Sequence, residues 1–148
     1  MLFGLGWDGE DADGGKHKMN VEGALAMTAE ISVLPAGGEK EGMTCSEVLV
    51  SKDGKFVYTA NRDVAGKGRD SISVLAVGEK GLLRHVQTVP AEVEIPRNIN
   101  LSLDGKWLLV AGQKSGGVPS FKVGKDGRLA FSGERIEVLK AMCVVFGR

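Results

Sequence analysis

Five side chains in this sequence could do chemistry together: Glu47, Arg62, Arg97, Gln113 and Lys114. Arginine binds a carboxylate or phosphate through two parallel hydrogen bonds, and lysine adds a point charge. The set therefore suits an anionic, oxygen-rich ligand. An arginine beside a carbonyl stabilises the oxyanion of a tetrahedral intermediate. A carboxylate such as Glu47 can act as a general base on water. In this scheme Arg62 and Glu47 are the candidate catalytic residues. Arg97, Gln113 and Lys114 are the candidate substrate-binding residues, and neither a metal nor a cofactor is needed. These residues are far apart in the chain, so the scheme needs a fold that gathers them.

A repeat supplies that fold. The segment Ser51-Lys52-Asp53-Gly54-Lys55-Phe56-Val57-Tyr58-Thr59-Ala60 returns 51 residues later as Ser102-Leu103-Asp104-Gly105-Lys106-Trp107-Leu108-Leu109-Val110-Ala111. A second element, Gly23-Ala24-Leu25, returns at Gly81-Leu82-Leu83 and Gly127-Arg128-Leu129. All-strand repeats of roughly 40–50 residues are the signature of a β-propeller. Each Asp-Gly is a hairpin turn, because glycine takes φ > 0 without steric cost. Asp53-Gly54 thus joins a strand at about 46–52 to one at about 56–62. Asp104-Gly105 joins about 97–103 to about 107–113. Third strands fall at 71–77 and about 118–123, and fourth strands follow Gly81 and Gly127.

The first strand of a blade runs away from one rim and the second runs back to it. Glu47 opens a first strand and Arg62 ends its partner. Arg97 opens the next first strand, and Gln113 and Lys114 follow its partner. The topology therefore predicts all five on one rim, contributed by two neighbouring blades.

The expected organisation is all-β: a propeller fragment of about two and a half four-stranded antiparallel blades plus a closing strand. Residues 1–43 would be a partial blade, 44–90 and 91–138 full blades, and 139–148 a strand completing a first blade. Four blades already need more than 148 residues. Repeats of this kind do not bury both faces alone. The expectation is a part of a longer ring, or a ring closed by self-association. Glycine at 22 residues against 4 prolines fits many turns between short strands. Lys+Arg and Asp+Glu balance at 19 each, which argues against a nucleic-acid partner. No apolar run reaches membrane-spanning length. The start Met1-Leu2-Phe3-Gly4 has no signal-peptide pattern, and the two cysteines make no disulfide framework. A cytoplasmic location is the expectation.

From Gly23 to Phe146 the chain resembles the C-terminal third of the seven-bladed propeller lactonases, of the 6-phosphogluconolactonase and muconate-cyclase type. The resemblance is carried by Cys45-Ser46-Glu47-Val48, Tyr58-Thr59-Ala60-Asn61-Arg62 and Ile95-Pro96-Arg97-Asn98-Ile99-Asn100. Leu109-Val110-Ala111-Gly112-Gln113-Lys114-Ser115 and Met142-Cys143-Val144-Val145 complete it. The resemblance implies hydrolysis of 6-phosphogluconolactone to 6-phosphogluconate in the pentose phosphate pathway, with a small anionic sugar lactone as partner. It also implies that Arg62 matches one family arginine. The family's histidine and its Pro-Arg followed by Asn-Glu belong to earlier blades. Ile99 stands where the family often has an aromatic residue.

Other patterns carry less. Gly4-Leu5-Gly6-Trp7-Asp8-Gly9 satisfies G-x-G-x-x-G, but neither a preceding strand nor a following helix is expected. Gly112-Gln113-Lys114-Ser115 lacks the first glycine of a P-loop. The acidic stretch Asp8 to Asp13 puts Gly9 and Asn20 where a calcium loop needs acids. His17 and His85 have no ligand partner at metal spacing, and Cys45 has no nearby histidine. Asn100-Leu101-Ser102 is a sequon placed inside a strand. Because propellers host many functions, a non-catalytic binding module is the alternative to a lactone hydrolase. Guanidinium groups locked in ion pairs would favour the module, and unpaired ones the hydrolase.

Overall fold

A computed structural model describes residues 30–147, as two four-stranded antiparallel sheets joined by short connections. The first contains β1 (Met43–Val50), β2 (Phe56–Asp63), β3 (Ser71–Val77) and β4 (Leu83–Pro90), in that spatial order. The second contains β5 (Pro96–Leu101), β6 (Trp107–Gly112), β7 (Val118–Val123) and β8 (Leu129–Ile136), again in sequence order. Most of the expected partial blade at 1–43 lies outside the described residues, as do the Gly4–Gly9 pattern, the acidic stretch and His17. The described part before β1 contains turns and no strand. No helix among the described residues is long and apolar enough to cross a membrane.

The repeated S-x-D-G-K segment builds the same turn twice. Ser51 Oγ donates to Asp53 Oδ1 at 2.7 Å, which also accepts the Lys55 amide at 3.2 Å. The Phe56 amide closes onto Ser51 Oγ at 2.9 Å. Ser102, Asp104, Lys106 and Trp107 repeat these contacts at 2.6, 3.1 and 3.0 Å. Gly54 and Gly105 sit at φ of 72° and 71°, in the left-handed region that glycine enters without a Cβ penalty. The Ser51 hydroxyl, then the Lys55 amide, hold the Asp53 carboxyl below its ordinary value.

Alternation along each strand sends one face to the partner sheet. Tyr58, Ala60, Ile72 and Val74 from the first sheet meet Ile99, Leu108, Val110 and Phe121 from the second, and all are buried. Burying each of the larger of these side chains is worth about 1.5–3 kcal/mol. The opposite face of the first sheet buries Val57 and Leu75 and, nearer the end of β2, polar side chains. There the Asn61 amide donates to Ser71 Oγ at 3.2 Å and Ser73 Oγ at 2.9 Å. Polar clamps fix how the sheets sit on each other. Tyr58 donates its hydroxyl to the Gly127 carbonyl at 3.1 Å. Gln87 meets both backbone groups of Leu129, accepting from N at 2.8 Å and donating to O at 3.1 Å. A Cβ at Gly127 would collide with the Phe56 ring, so this glycine is needed for close approach as well as for its φ of 77°.

The segment after β8, expected as a closing strand at 139–148, joins no ladder among the described residues. It lies on the outer face of the second sheet. Ala141 and Val144 pack there with Leu109, Ala111 and Val118. Its backbone is met by side chains: the Val144 amide donates to Asn98 Oδ1 at 2.9 Å, and Asn100 Nδ2 donates to the Val144 carbonyl at 3.0 Å.

Beyond the end of β2, the buried Asp63 carboxylate organises the loop to β3. It accepts the amides of Ala65, Lys67 and Arg69 and both ends of the Arg69 guanidinium, the latter at 3.1 and 2.9 Å. The Arg69 side chain is the main reason its pKa lies far below the usual carboxylate range.

Two pH-dependent outcomes follow from these groups. Burial pushes the Tyr58 phenol up from 10.0 to about 12, so its contribution is complete below pH 10 and is lost between pH 10 and about 12. Urea midpoints of the native chain should fall more steeply over that window than those of Tyr58→Phe. Asp63, lowered from 3.8, stabilises above that value, and its contribution disappears as pH falls through its own lower value. Asp63→Asn should be less stable at neutral pH and flatten the acid limb of the same urea measurement.

Candidate functional site

The register places the starts of β1 and β5 and the ends of β2 and β6 at the end of the sheets opposite the S-x-D-G-K turns. The inner strands also touch between sheets: β1 and β2 pack against β5. Ser46 Oγ donates to the Pro96 carbonyl at 2.6 Å, and Asn98 Nδ2 donates to Glu47 Oε2 at 2.7 Å.

Both inner strands are interrupted at this end by a β-bulge. Between Cys45 and Glu47 the pairing slips by one residue at Ser46, and between Pro96 and Asn98 it slips at Arg97. The two bulges occupy the same position in the repeat. A bulge leaves one residue unpaired and re-aims its side chain. Arg97 is half-buried and makes no hydrogen bond or ion pair among the described residues.

The backbone entering the second bulge is strained. Ile95 has φ of 55°, a conformation rarely adopted by a β-branched residue and one not favoured before proline. Such a conformation costs about 1–3 kcal/mol. It is held from both sides. The Ile95 amide donates to Asp70 Oδ1 at 3.1 Å, and the Gln113 amide donates to the Ile95 carbonyl at 3.0 Å. Asp70 Oδ1 also accepts the Asp63 amide at 3.0 Å, and burial pushes the Asp70 carboxyl up. One carboxylate thus ties the end of β2 to the start of β5.

Each of the five expected residues has a definite place. Glu47 is half-buried, and its carboxylate accepts from Asn98 and, at 3.2 Å, from the Val48 amide. Arg62 is cross-strand from Thr44 and donates through one terminal nitrogen to the Cys45 carbonyl at 3.1 Å. Its Nε is buried and has no partner. Arg97 sits on the second bulge. Gln113 follows β6, bonded through its backbone to Ile95. Lys114 is exposed and pairs with Glu94 at 2.7 Å, a contact that raises its pKa. No ion pair among the described residues joins Glu47 to either Arg62 or Arg97.

Asn98 and Asp70 were not singled out from the sequence. Asn98 had a signal: it stands 51 residues after Glu47, the repeat interval, so it is the same position in the next sheet. Asp70 had none, because it belongs to a connection outside the repeated segments. His85 bonds to Thr88 on its own strand at 2.8 Å. Neither Cys45 nor Cys143 is in a disulfide. No three His, Cys, Asp or Glu side chains among the described residues converge as a metal-binding group.

Among the described residues the rim thus offers a guanidinium nitrogen without a partner at Arg62, the Arg97 side chain on its bulge, and the Glu47 carboxylate held by the Asn98 amide. The chain is 33% identical over 103 residues to the 6-phosphogluconolactonase of Bacillus subtilis, which covers 68% of this chain and 28% of that protein. It is 32% identical over 85 residues to the 6-phosphogluconolactonase of Formosa agariphila, covering 57% of this chain and 23% of that one. The periplasmic gluconolactonase of Pseudomonas aeruginosa superimposes with a TM-score of 0.65 at 27% identity, over 73% of this chain and 29% of its own. The chain thus spans less than a third of these proteins. The profile of the lactonases with a seven-bladed β-propeller matches residues 17–146, and the chain belongs to that family.

Proposed function

We propose that this chain supplies part of the site of a lactone hydrolase acting on an anionic sugar lactone, 6-phosphogluconolactone being the substrate that the named relatives suggest. The reading is carried by the Arg62 guanidinium, whose buried Nε has no partner among the described residues, on the rim that the register also gives to Arg97. A buried N–H without a partner is costly, and a ligand oxygen would satisfy it.

In the proposed reaction Glu47 takes a proton from water as the water oxygen attacks the lactone carbonyl. Arg62 stabilises the resulting oxyanion. Collapse breaks the ring C–O bond, and the leaving alkoxide takes the proton back, giving the open hydroxy acid. Arg97 holds the anionic group of the substrate, and Gln113 donates to its hydroxyls. Lys114 is paired with Glu94, so it would meet substrate only by exchanging that partner. The full site would draw further residues from other blades, supplied by a longer chain or by self-association. In such a ring, residues 139–148 would close a first blade. The cytoplasmic pentose phosphate pathway is the proposed setting.

With 6-phosphogluconolactone as substrate, Arg62→Ala and Glu47→Gln should each lower kcat/KM by about 100-fold or more. Exposed Lys52→Ala should match the native chain, and Arg97→Ala should act mainly on KM. Equal rates for Arg62→Ala and Lys52→Ala would remove Arg62 from the mechanism. If the native chain, in a self-associated form that completes the ring, neither turns over the lactone nor binds 6-phosphogluconate in calorimetry, the binding-module alternative replaces this reading.

Leu139, Val145 and Ile136 are 94%, 79% and 63% exposed, and a terminal repeat of this kind leaves a face for a neighbour to cover. Sedimentation velocity on the chain should show species larger than a monomer. A monodisperse monomer would contradict self-association.

A further inference from the structure

We infer that Asn98 is a positioning residue that couples the C-terminal segment to the Glu47 carboxylate across the two sheets. The catalytic meaning of this coupling rests on the role proposed for Glu47; the coupling itself does not.

A side-chain amide has one accepting and one donating end, and its neighbours decide which way it points. The backbone N–H of Val144 can only donate, so it requires Asn98 Oδ1, 2.9 Å away. That leaves Nδ2 to face Glu47 Oε2 at 2.7 Å, and an ionised carboxylate can only accept. The two contacts specify the same orientation. The reverse orientation would set an oxygen against the carboxylate and an NH2 group against the Val144 N–H. Each contact therefore favours the other.

The tail side of the relay is built for this role. Asn98 and Asn100 lie on one face of β5, and between them they meet both backbone groups of Val144. The Asn100 carbonyl oxygen is occupied by the Leu101 amide at 2.9 Å, which fixes that side chain too. The Val144 side chain packs on the cluster formed by Ala111, Val118 and Ala141. Seating the tail therefore holds the donor that meets Glu47. Displacing the tail releases it. Coupling of this kind is reciprocal, so changing Glu47 must alter the hold on Val144.

Amide hydrogen exchange of Val144, followed by NMR on the full chain, tests this. Asn98→Ala should speed Val144 exchange by about tenfold or more. Glu47→Ala, at a side chain bonded to Asn98 and not to the tail, should speed it severalfold, whereas Lys52→Ala should leave it unchanged. Asn98→Asp keeps an acceptor for Val144 and removes the donor toward Glu47, so in that background Glu47→Ala should no longer speed exchange. From the other end, Val144→Pro deletes the N–H and should speed exchange of the Asn98 side-chain amide protons. Native-like amide spectra outside the site establish that each variant is folded. Faster exchange in Asn98→Ala with no effect of Glu47→Ala would reduce Asn98 to a cap for the tail and overturn the proposal. So would unchanged exchange in Asn98→Ala. If the exchange coupling holds while Glu47→Gln keeps full lactone turnover, the catalytic reading of Glu47 fails and the coupling stands.

Discussion

Everything at the rim depends on the face-to-face packing of two sheets. Tyr58, Ile72 and Val74 on one side and Ile99, Leu108 and Phe121 on the other form one buried cluster. Hydrophobic packing is not directional, and alone it would let the sheets slide. Directional contacts set the alignment. Gln87 copies a strand partner for Leu129, and Tyr58 reaches the Gly127 carbonyl. At the other end Ser46 and Glu47 reach Pro96 and Asn98. With the alignment fixed at both ends, side chains distant in sequence share one rim.

That rim is where the backbone departs from regular geometry. Two bulges fall at the same repeat position, and Ile95 is held at positive φ beside one of them. Strain of this kind persists only where the surroundings over-determine it, and Asp70 and Gln113 do so here. The opposite end shows the contrary pattern. Its two S-x-D-G-K turns use glycine at positive φ and an Asp–Ser pair, which is the low-strain solution.

The five residues expected to act together are not equivalent in the structure. Among the described residues Arg62 Nε has no partner, whereas Lys114 spends its charge on Glu94. The difference lies in the neighbours. Lys114 lies in the exposed loop after β6 and reaches Glu94, a partner from the preceding connection. Arg62 is enclosed by its own sheet, where the Cys45 carbonyl meets one nitrogen and leaves another without a partner. Two asparagines on β5, with no catalytic role assigned, meet the backbone of the C-terminal segment as a neighbouring strand would.

The sequence by itself determined the strand order, the two hairpins and which end of each blade carries the polar residues. These follow from local rules: Ser, Asp and Gly close the turn within a few residues, and period-two alternation assigns faces. It also held the Glu47–Asn98 equivalence, through the 51-residue spacing, although one is a carboxylate and the other an amide. Tertiary structure alone decided the bulges at Ser46 and Arg97, the bridging role of Asp70, the pairing of Lys114 and the seat of the C-terminal segment. Each of these depends on where a second sheet or a distant loop comes to rest. A hydrogen bond changes from made to lost over about an ångström, and no local pattern of residue types fixes a distance that small.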